Sequence, residues 1–241
     1  MKINKKGDKR YLKFTMGFNR IPVTASFFSD QRYVSEDIAL REVILSYTIK
    51  TDDIIVFDRG LQSRKAYEQL SEANFRFVTR LNPYVKYSIL SELKIKSQKK
   101  SDDTLSIDHD SIVTLYDKKN NPTKGFYRLI ISTKDGKPLY FLTNIEELHA
   151  FEIAHIYKQR WQIEVFFKFL KQHLNFSHLL SRNENGIKVI LYTTLIAAIL
   201  LTVFKSSNNY KDIKFQNSNS PINWKYYLLR TLSNCAVEIP K

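Results

Sequence analysis

The sequence predicts an α/β chain carrying a β-rich insertion, on three observations. A fully apolar run, "IIVF", is followed by a turn, a helix-like segment and a second apolar run, the pattern of a parallel crossover unit. Residues 82–144 then hold strand-like segments with no helix between them. Beyond Asn144 the apolar period lengthens to that of helices.

The elements follow in order. Residues 10–18 ("RYLKFTMGF") and 21–28 ("IPVTASFF") are aromatic and β-branched runs separated by Asn19 and Arg20, which predicts an antiparallel hairpin. Residues 35–49 predict a helix: Ser35 can cap it, Glu36 and Asp37 suit its positive end, and Ile38, Val43, Ile44 and Tyr47 supply apolar positions. The run Ile54 to Phe57 is typical of a strand buried on both faces. It stops at Asp58, and Gly60 releases the turn. Residues 63–73 predict a capped helix and 75–81 a strand.

In the insertion, "LKIKSQKKSDD" predicts a charged loop, "SIVTLYD", "GFYRLIIST" and "PLYFLTN" predict strands, and "KDGK" a turn between the last two. Helices are expected from Glu146 to about Leu174 and from Gly186 to about Lys205. The apolar run from Val189 to Phe204 has 16 residues. A membrane span needs about 20, so a buried helix is expected. Residues 205–221 are polar and predict poor order. "INWKYYLLRTL" (222–232) predicts a last short helix.

The chain has 241 residues, 43% hydrophobic, with 14 Tyr and 16 Phe, enough for one large domain with a packed core. Its net charge of +14 points to a polyanion, nucleic acid first and anionic membrane second. Cys235 is the single cysteine, so one chain holds neither a disulfide nor a Cys-based zinc site, in keeping with a reducing cytoplasm. "MKINKKGDKR" is basic without an apolar run behind it, unlike a signal peptide.

Two places can carry chemistry. Asp58 falls at the C-terminal end of a parallel strand, where open α/β sheets place their sites. On a helix spanning residues 153–174, steps of 100° bring Tyr157, Arg160, Glu164, Lys168 and Lys171 onto one narrow stripe. Ile156, Ile163, Phe166, Phe167, Leu170 and Leu174 flank it on one side, Trp161, Val165 and Phe169 on the other. Burial of both flanks would put the stripe at the floor of a groove. Solvated i,i+4 ion pairs explain the charges too, at about 0.2–0.5 kcal/mol each, but need no aromatic flanks. An anionic ligand explains them better: Glu164 would hold a divalent cation, Arg160 and Lys171 phosphates, and Tyr157 a phosphate or a base.

Tyr157, two residues, Arg160, three residues, Glu164, six residues, Lys171: this spacing resembles the signature of the transposases of the IS4 family of bacterial insertion sequences. "FLTN" and "VFDRGL" are similar to the stretches around that family's insertion end and second aspartate, and the resemblance runs from about Lys9 to about Leu201. It implies an RNase H-like core with a β-rich insertion (82–144) between the second Asp and the Glu, and Asp58 and Glu164 are 106 residues apart. It implies Asp58 and Glu164 as catalytic ligands of two Mg²⁺ ions, with Mn²⁺ able to substitute. Tyr157, Arg160 and Lys171 match the family's DNA-handling positions, with Lys168 beside them and Trp161 a candidate for stacking a base. Transposon ends and target DNA would be the partners, in a homodimeric DNA complex in the bacterial cytoplasm at the nucleoid, with no membrane.

The resemblance also implies a departure. The family's first Asp lies on a strand before the hairpin, whereas Met1 to Lys9 holds no apolar run and only Asp8 as a carboxylate. The expectation is the C-terminal part of a transposase, residues 9–201, lacking the first core strand, its Asp and an end-binding domain, followed by a polar tail at 206–241. Three functions compete: a catalytic domain completed by upstream sequence, an inactive DNA-binding remnant that inhibits full-length transposase, and a basic membrane-associated protein built on residues 189–204. The charged stripe favours the first two, and an upstream Asp-x-Thr/Ser after an apolar strand would separate those.

Overall fold

The structure, a computed structural model, describes residues 13–48, 53–95, 105–174, 181, 183–207 and 226–232. The chain forms two compact units. One comprises Ile44–Arg160 and Trp224–Tyr227; the other comprises Met1–Val43, Trp161–Asn223 and Leu228–Lys241.

The first unit is built on a mixed sheet. Strand β3 (Ile54–Phe57) is buried along its whole length. It pairs in parallel with β4 (Arg76–Arg80), Ile54 opposite Arg76 and Val56 opposite Val78. Helix α2 (Arg64–Glu72) makes the crossover, with Ser63 accepting from the Ala66 amide and Ala66, Tyr67 and Leu70 buried. The Tyr67 hydroxyl donates to the Leu61 carbonyl at 2.7 Å, so the largest ring on the helix carries its polar atom satisfied into the core. The expected strand–helix–strand unit is present, with ends within two residues of those read from the sequence.

The insertion extends this same sheet. Strands β5 (Tyr87–Glu92), β6 (Leu105–Leu115), β7 (Tyr127–Lys134) and β8 (Lys137–Thr143) form an antiparallel series, and β8 pairs antiparallel with β4. Asp135 and Gly136 turn β7 into β8 with φ of 51° and 71°, the left-handed pair that a two-residue hairpin needs. Strand β5 was not expected from the sequence. It has a partner strand on one side only among these pairings and is largely exposed, so no alternation of buried and exposed residues marks it.

Two polar devices tie the insertion to the core. Asn144 accepts from the Phe77 amide at 3.0 Å and donates to the Phe75 carbonyl at 2.8 Å and to Ser71 at 3.2 Å. Arg128 forks onto buried Asp110 at 2.8 and 2.7 Å. It also donates to the carbonyls of Glu146 and Leu148 at 3.0 and 2.5 Å. That fixes the segment entering helix α3 (Ala150–Gln159), where Glu152 accepts from the His149 amide.

The single helix expected from Glu146 to Leu174 is two: α3, and α4 (Trp161–His173). The Arg160 amide donates to the Tyr157 carbonyl, three residues back, at 3.0 Å. Such a tightened turn interrupts the i→i−4 ladder.

In the second unit β1 (Lys13–Asn19) and β2 (Ile21–Phe28) form the expected hairpin, with Arg20 left-handed at φ 61°. The expected helix is α1 (Glu36–Leu45), shorter than predicted at its C-terminal end. The predicted helix at 222–232 is instead strand β9 (Tyr226–Leu232), antiparallel to β1 over Phe14–Phe18. Pairing to a strand edge overrides the helix preference of its leucines. Helix α4 stacks Phe166 on Phe18 at 5.0 Å and Phe167 edge-on to Phe14 at 6.3 Å. Helix α5 (Glu184–Ser207) sets Tyr192 against Phe27 at 5.0 Å. Only one face of α5 is buried, through Ile187, Leu191, Leu195 and Ala198; Val189, Ile196, Leu200 and Val203 are exposed. The expected buried helix is therefore half right, and by length and composition Glu184–Phe204 could cross a membrane. Met1 to Lys9, the loop at 96–104 and residues 208–225 of the tail lie outside the described residues.

Arg128→Met should destabilise the fold by about 3–5 kcal/mol, because it strands Asp110 as a buried, unpaired charge. Adding Asp110→Leu should recover most of that loss. Denaturant unfolding of the two variants checks both steps.

Candidate functional site

Asp58 is the first residue beyond β3, and its position is fixed from three sides. Its Oδ1 accepts the Gly60 amide at 2.9 Å. The buried Thr79 hydroxyl on β4 lies 3.1 Å from the Phe57 carbonyl and 3.2 Å from that of Asp58. Gln62, in the same turn, donates to the Arg80 carbonyl at 3.4 Å. The turn is thus sewn to the end of the neighbouring parallel strand, and one carboxylate oxygen of Asp58 is committed to holding it.

Helix α3 brings Tyr157 to the same place. Its ring is buried 5.4 Å from that of Phe141, which sits opposite Arg80 across β4 and β8. The Arg160 guanidinium lies 5.5 Å from the centre of the Tyr157 ring. Burial pushes the Tyr157 phenol above its ordinary range; Arg160 and Arg80 oppose that shift and Asp58 adds to it. The phenol is therefore held as a neutral O–H donor. Arg80 is pulled below the usual guanidinium range by burial first, then by repulsion from Arg59, against the attraction of Tyr157 and with further repulsion from Arg160.

Asp58, Tyr157 and Arg160, singled out separately in the sequence, thus act on one another within the first unit. Arg59 and Arg80 join them and were missed. Arg80 was legible in principle: it ends "FRFVTR", the strand beside the one that ends in Asp58. Residues at the C-terminal ends of adjacent parallel strands share one crevice.

The remaining predicted residues lie on α4, in the second unit. Glu164 sits in its first turn, half-buried, and Lys171 in its last, exposed. That placement complements the helix dipole at both ends. Lys168 is exposed and Trp161 is 62% exposed. Only one of the two apolar flanks is buried: Ile163, Phe166, Phe167 and Leu170 are, whereas Val165 and Phe169 are half-buried. The groove-floor expectation is corrected accordingly. Beyond the break at Arg160, α4 buries a single face.

Asp58 and Glu164 offer hard oxygen donors, the type that Mg²⁺ and Mn²⁺ take. Among the described residues, no group of three or more His, Cys, Asp or Glu side chains could hold a metal ion. The donor chemistry fits a divalent cation, and a third carboxylate is not among the described neighbours.

Residues 24–200 match the family model described as the transposase DDE domain. The chain belongs to the DDE transposase family. The match covers Asp58 and every residue of the stripe. A Sinorhizobium fredii protein named as a transposase, y4zB, is 30% identical over 156 residues, 64% of this chain and 43% of its own length. A Synechocystis protein named as a transposase for insertion sequence element IS4SA is 42% identical over 81 residues, 31% of this chain and 24% of its own. A Geobacillus stearothermophilus protein named for IS5377 is 27% identical over 239 residues, 88% of this chain and 62% of its own. The chain thus spans less than two thirds of each of these relatives. Membership in the DDE family makes divalent-metal use the general expectation, and the mixed α/β sheet is compatible with an RNase H-like DDE transposase fold.

The buried phenol has a consequence for alkaline pH. A folded-state pKa raised above the unfolded value adds stability that is present below the ordinary tyrosine pKa, about 10, and is lost as pH rises through the folded value. Tyr157→Phe should make the alkaline fall in stability shallower. A difference titration of phenolate absorbance, wild type minus variant, should show one tyrosine ionising later than the exposed ones.

Proposed function

We propose that this DDE transposase chain is the catalytic part of an IS4-family enzyme that cuts transposon ends and joins them to target DNA by two-metal phosphoryl transfer. The observation that supports it is the grouping of Asp58, at the end of β3, with Tyr157 and Arg160, two residues whose spacing follows the family signature. Glu164 on α4 would be the partner ligand. Mg²⁺, as two ions with Mn²⁺ as a substitute, would supply Lewis-acid stabilisation of the oxygens of the transferring phosphoryl group.

The side chains carry the rest. Gly60 orients the Asp58 carboxylate by its amide. Neutral Tyr157 donates a hydrogen bond to a backbone phosphate, and Arg160 neutralises charge beside it. Lys168 and Lys171 meet phosphates along α4, and the exposed Trp161 ring is available to stack a base. Water or a 3′-hydroxyl attacks phosphorus and the 3′-oxygen leaves, with no covalent protein intermediate. A third carboxylate would complete the site, an Asp on a strand preceding the hairpin; if the chain from Met1 joins DNA ends, Asp8 is the first candidate to test. Two copies would hold two transposon ends.

Glu164→Gln and Asp58→Asn should each lower joining of a labelled transposon end by about 10²–10³-fold, the scale of losing a principal source of transition-state electrostatic stabilisation. DNA affinity should change little. The assay supplies Mg²⁺ and uses the chain together with whatever sequence naturally precedes it. Affinity itself should fall steeply from about 50 to 200 mM salt with little sequence preference, because phosphate contacts supply it. Joining that survives Glu164→Gln, or binding that ignores salt, would overturn the assignment.

A further inference from the structure

Arg80 occupies a peculiar position. Two residues beyond the Val56–Val78 pair, β3 and β4 carry Asp58 and Arg80 respectively. The two side chains therefore leave neighbouring parallel strands at the same end. Yet among the described residues no carboxylate pairs with Arg80, and its Nε is buried with no hydrogen-bond partner. Its carbonyl, by contrast, is engaged by Gln62 at 3.4 Å and the following amide, Leu81, donates to Tyr140 at 2.9 Å.

A buried, unpartnered charged donor is costly, more so than a neutral one. Here the cost is compounded, because Arg59 and Arg160 repel the same guanidinium. The sequence could have relieved this with an acid in the Phe141–Tyr157 layer beside Arg80; it places two aromatic rings there instead. Arg80 is half-buried there, and its buried Nε has no hydrogen-bond partner among the described residues. The arrangement suits a ligand that brings several acceptor oxygens and negative charge together. A phosphodiester does so, and a guanidinium matches its geometry with a fork of N–H donors that an ammonium lacks.

We propose that Arg80 is a phosphate-binding residue, taking through its Nε–H a backbone phosphate of the DNA strand that lies across the C-terminal ends of β3 and β4. The proposal deepens the function given above and rests on it. Arg59, directly after Asp58, adds charge to the same strand end. Arg80 acts on the substrate directly, and through that phosphate it sets how far the strand lies from Asp58.

Two measurements test this. In the intact chain labelled with ¹⁵N-arginine, the Arg80 Nε–Hε signal, assigned by its disappearance in Arg80→Lys, is followed during titration with sodium phosphate and with sodium chloride at matched ionic strength. A saturable shift with phosphate alone is expected, and the same direction of shift on adding duplex DNA. A signal that tracks ionic strength only would overturn the proposal; the titration itself is read on the wild-type chain, and Arg80→Lys serves only to assign the signal.

The second compares DNA affinity against salt for wild type, Arg80→Lys and Arg80→Gln, with Lys118→Gln as an exposed control. Arg80→Gln should bind roughly tenfold to a hundredfold more weakly, as for loss of a charged hydrogen bond. Its log–log salt slope should be shallower by about 0.9, one phosphate contact fewer. Arg80→Lys should keep the slope but still lose affinity, because the charge remains and the fork does not. Wild-type affinity in Arg80→Lys would refute the fork. If Arg80 takes up phosphate while joining proves independent of Glu164, the function fails and this inference stands. If joining depends on Glu164 while Arg80 is silent, the reverse holds.

Discussion

The parallel pairing of β3 with β4 is the constraint on which the rest of the site depends. A four-residue strand buried on every side chain can sit only inside a sheet with both faces covered. Its parallel register then determines what lies at its end: Asp58 leaves one strand where Arg80 leaves the other. The Thr79 hydroxyl bridges the two by contacting the last carbonyls of β3. No loop geometry has to be specified beyond this. Once the hydrophobic run is buried and the crossover is made by α2, the carboxylate is delivered to the strand end where it acts on Tyr157 of α3.

The insertion follows from the same sheet. Because β8 pairs directly with β4, the antiparallel series β5–β8 is an extension of the core sheet and its register is inherited from β4. The Arg128–Asp110 fork converts that register into the position of α3, since the same guanidinium holds the Glu146 and Leu148 carbonyls. A buried ion pair is a poor source of net stability, and apolar residues of similar volume often do as well. What the pair supplies here is specificity of placement: a slipped β6–β7 register would leave both charges buried alone. Tyr157 is thereby presented to Asp58 through a chain of contacts that begins in the insertion.

What could be read from the sequence divides along physical lines. The apolar run of β3, the Ser63 cap and the Asp-Gly turn each have a local cause, and each was legible in the residues that carry it. Asp58 and the Tyr–Arg–Glu–Lys spacing were legible for a different reason, since spacing along a chain survives without knowledge of packing. Strand β5 escaped because an exposed edge strand buries nothing periodic. Strand β9 was misread because "YYLLRTL" has no strong local preference and takes its form from the edge of β1. The break at Arg160 was invisible because helical periodicity passes through a tightened turn almost unchanged. Arg80 went unread because its meaning lies across two strands rather than along one.

The cationic character of the strand ends is the least economical feature of the fold on its own terms. Arg59 and Arg160 both repel Arg80, which is also half-buried. A folded chain tolerates such an arrangement only when the surrounding sheet over-determines it, and sites of this kind concentrate where function demands them. The net charge of +14 would bring nucleic acid to almost any face. Long-range attraction of that sort gives association without position. A cluster of Asp58, Tyr157 and the guanidinium groups of Arg59, Arg80 and Arg160 would do the opposite: it would favour approaches that bring a phosphate to the cations and away from the carboxylate. On the proposed reading, the diffuse charge would draw the chain to DNA, and the cluster at the strand ends would decide where along the strand it takes hold.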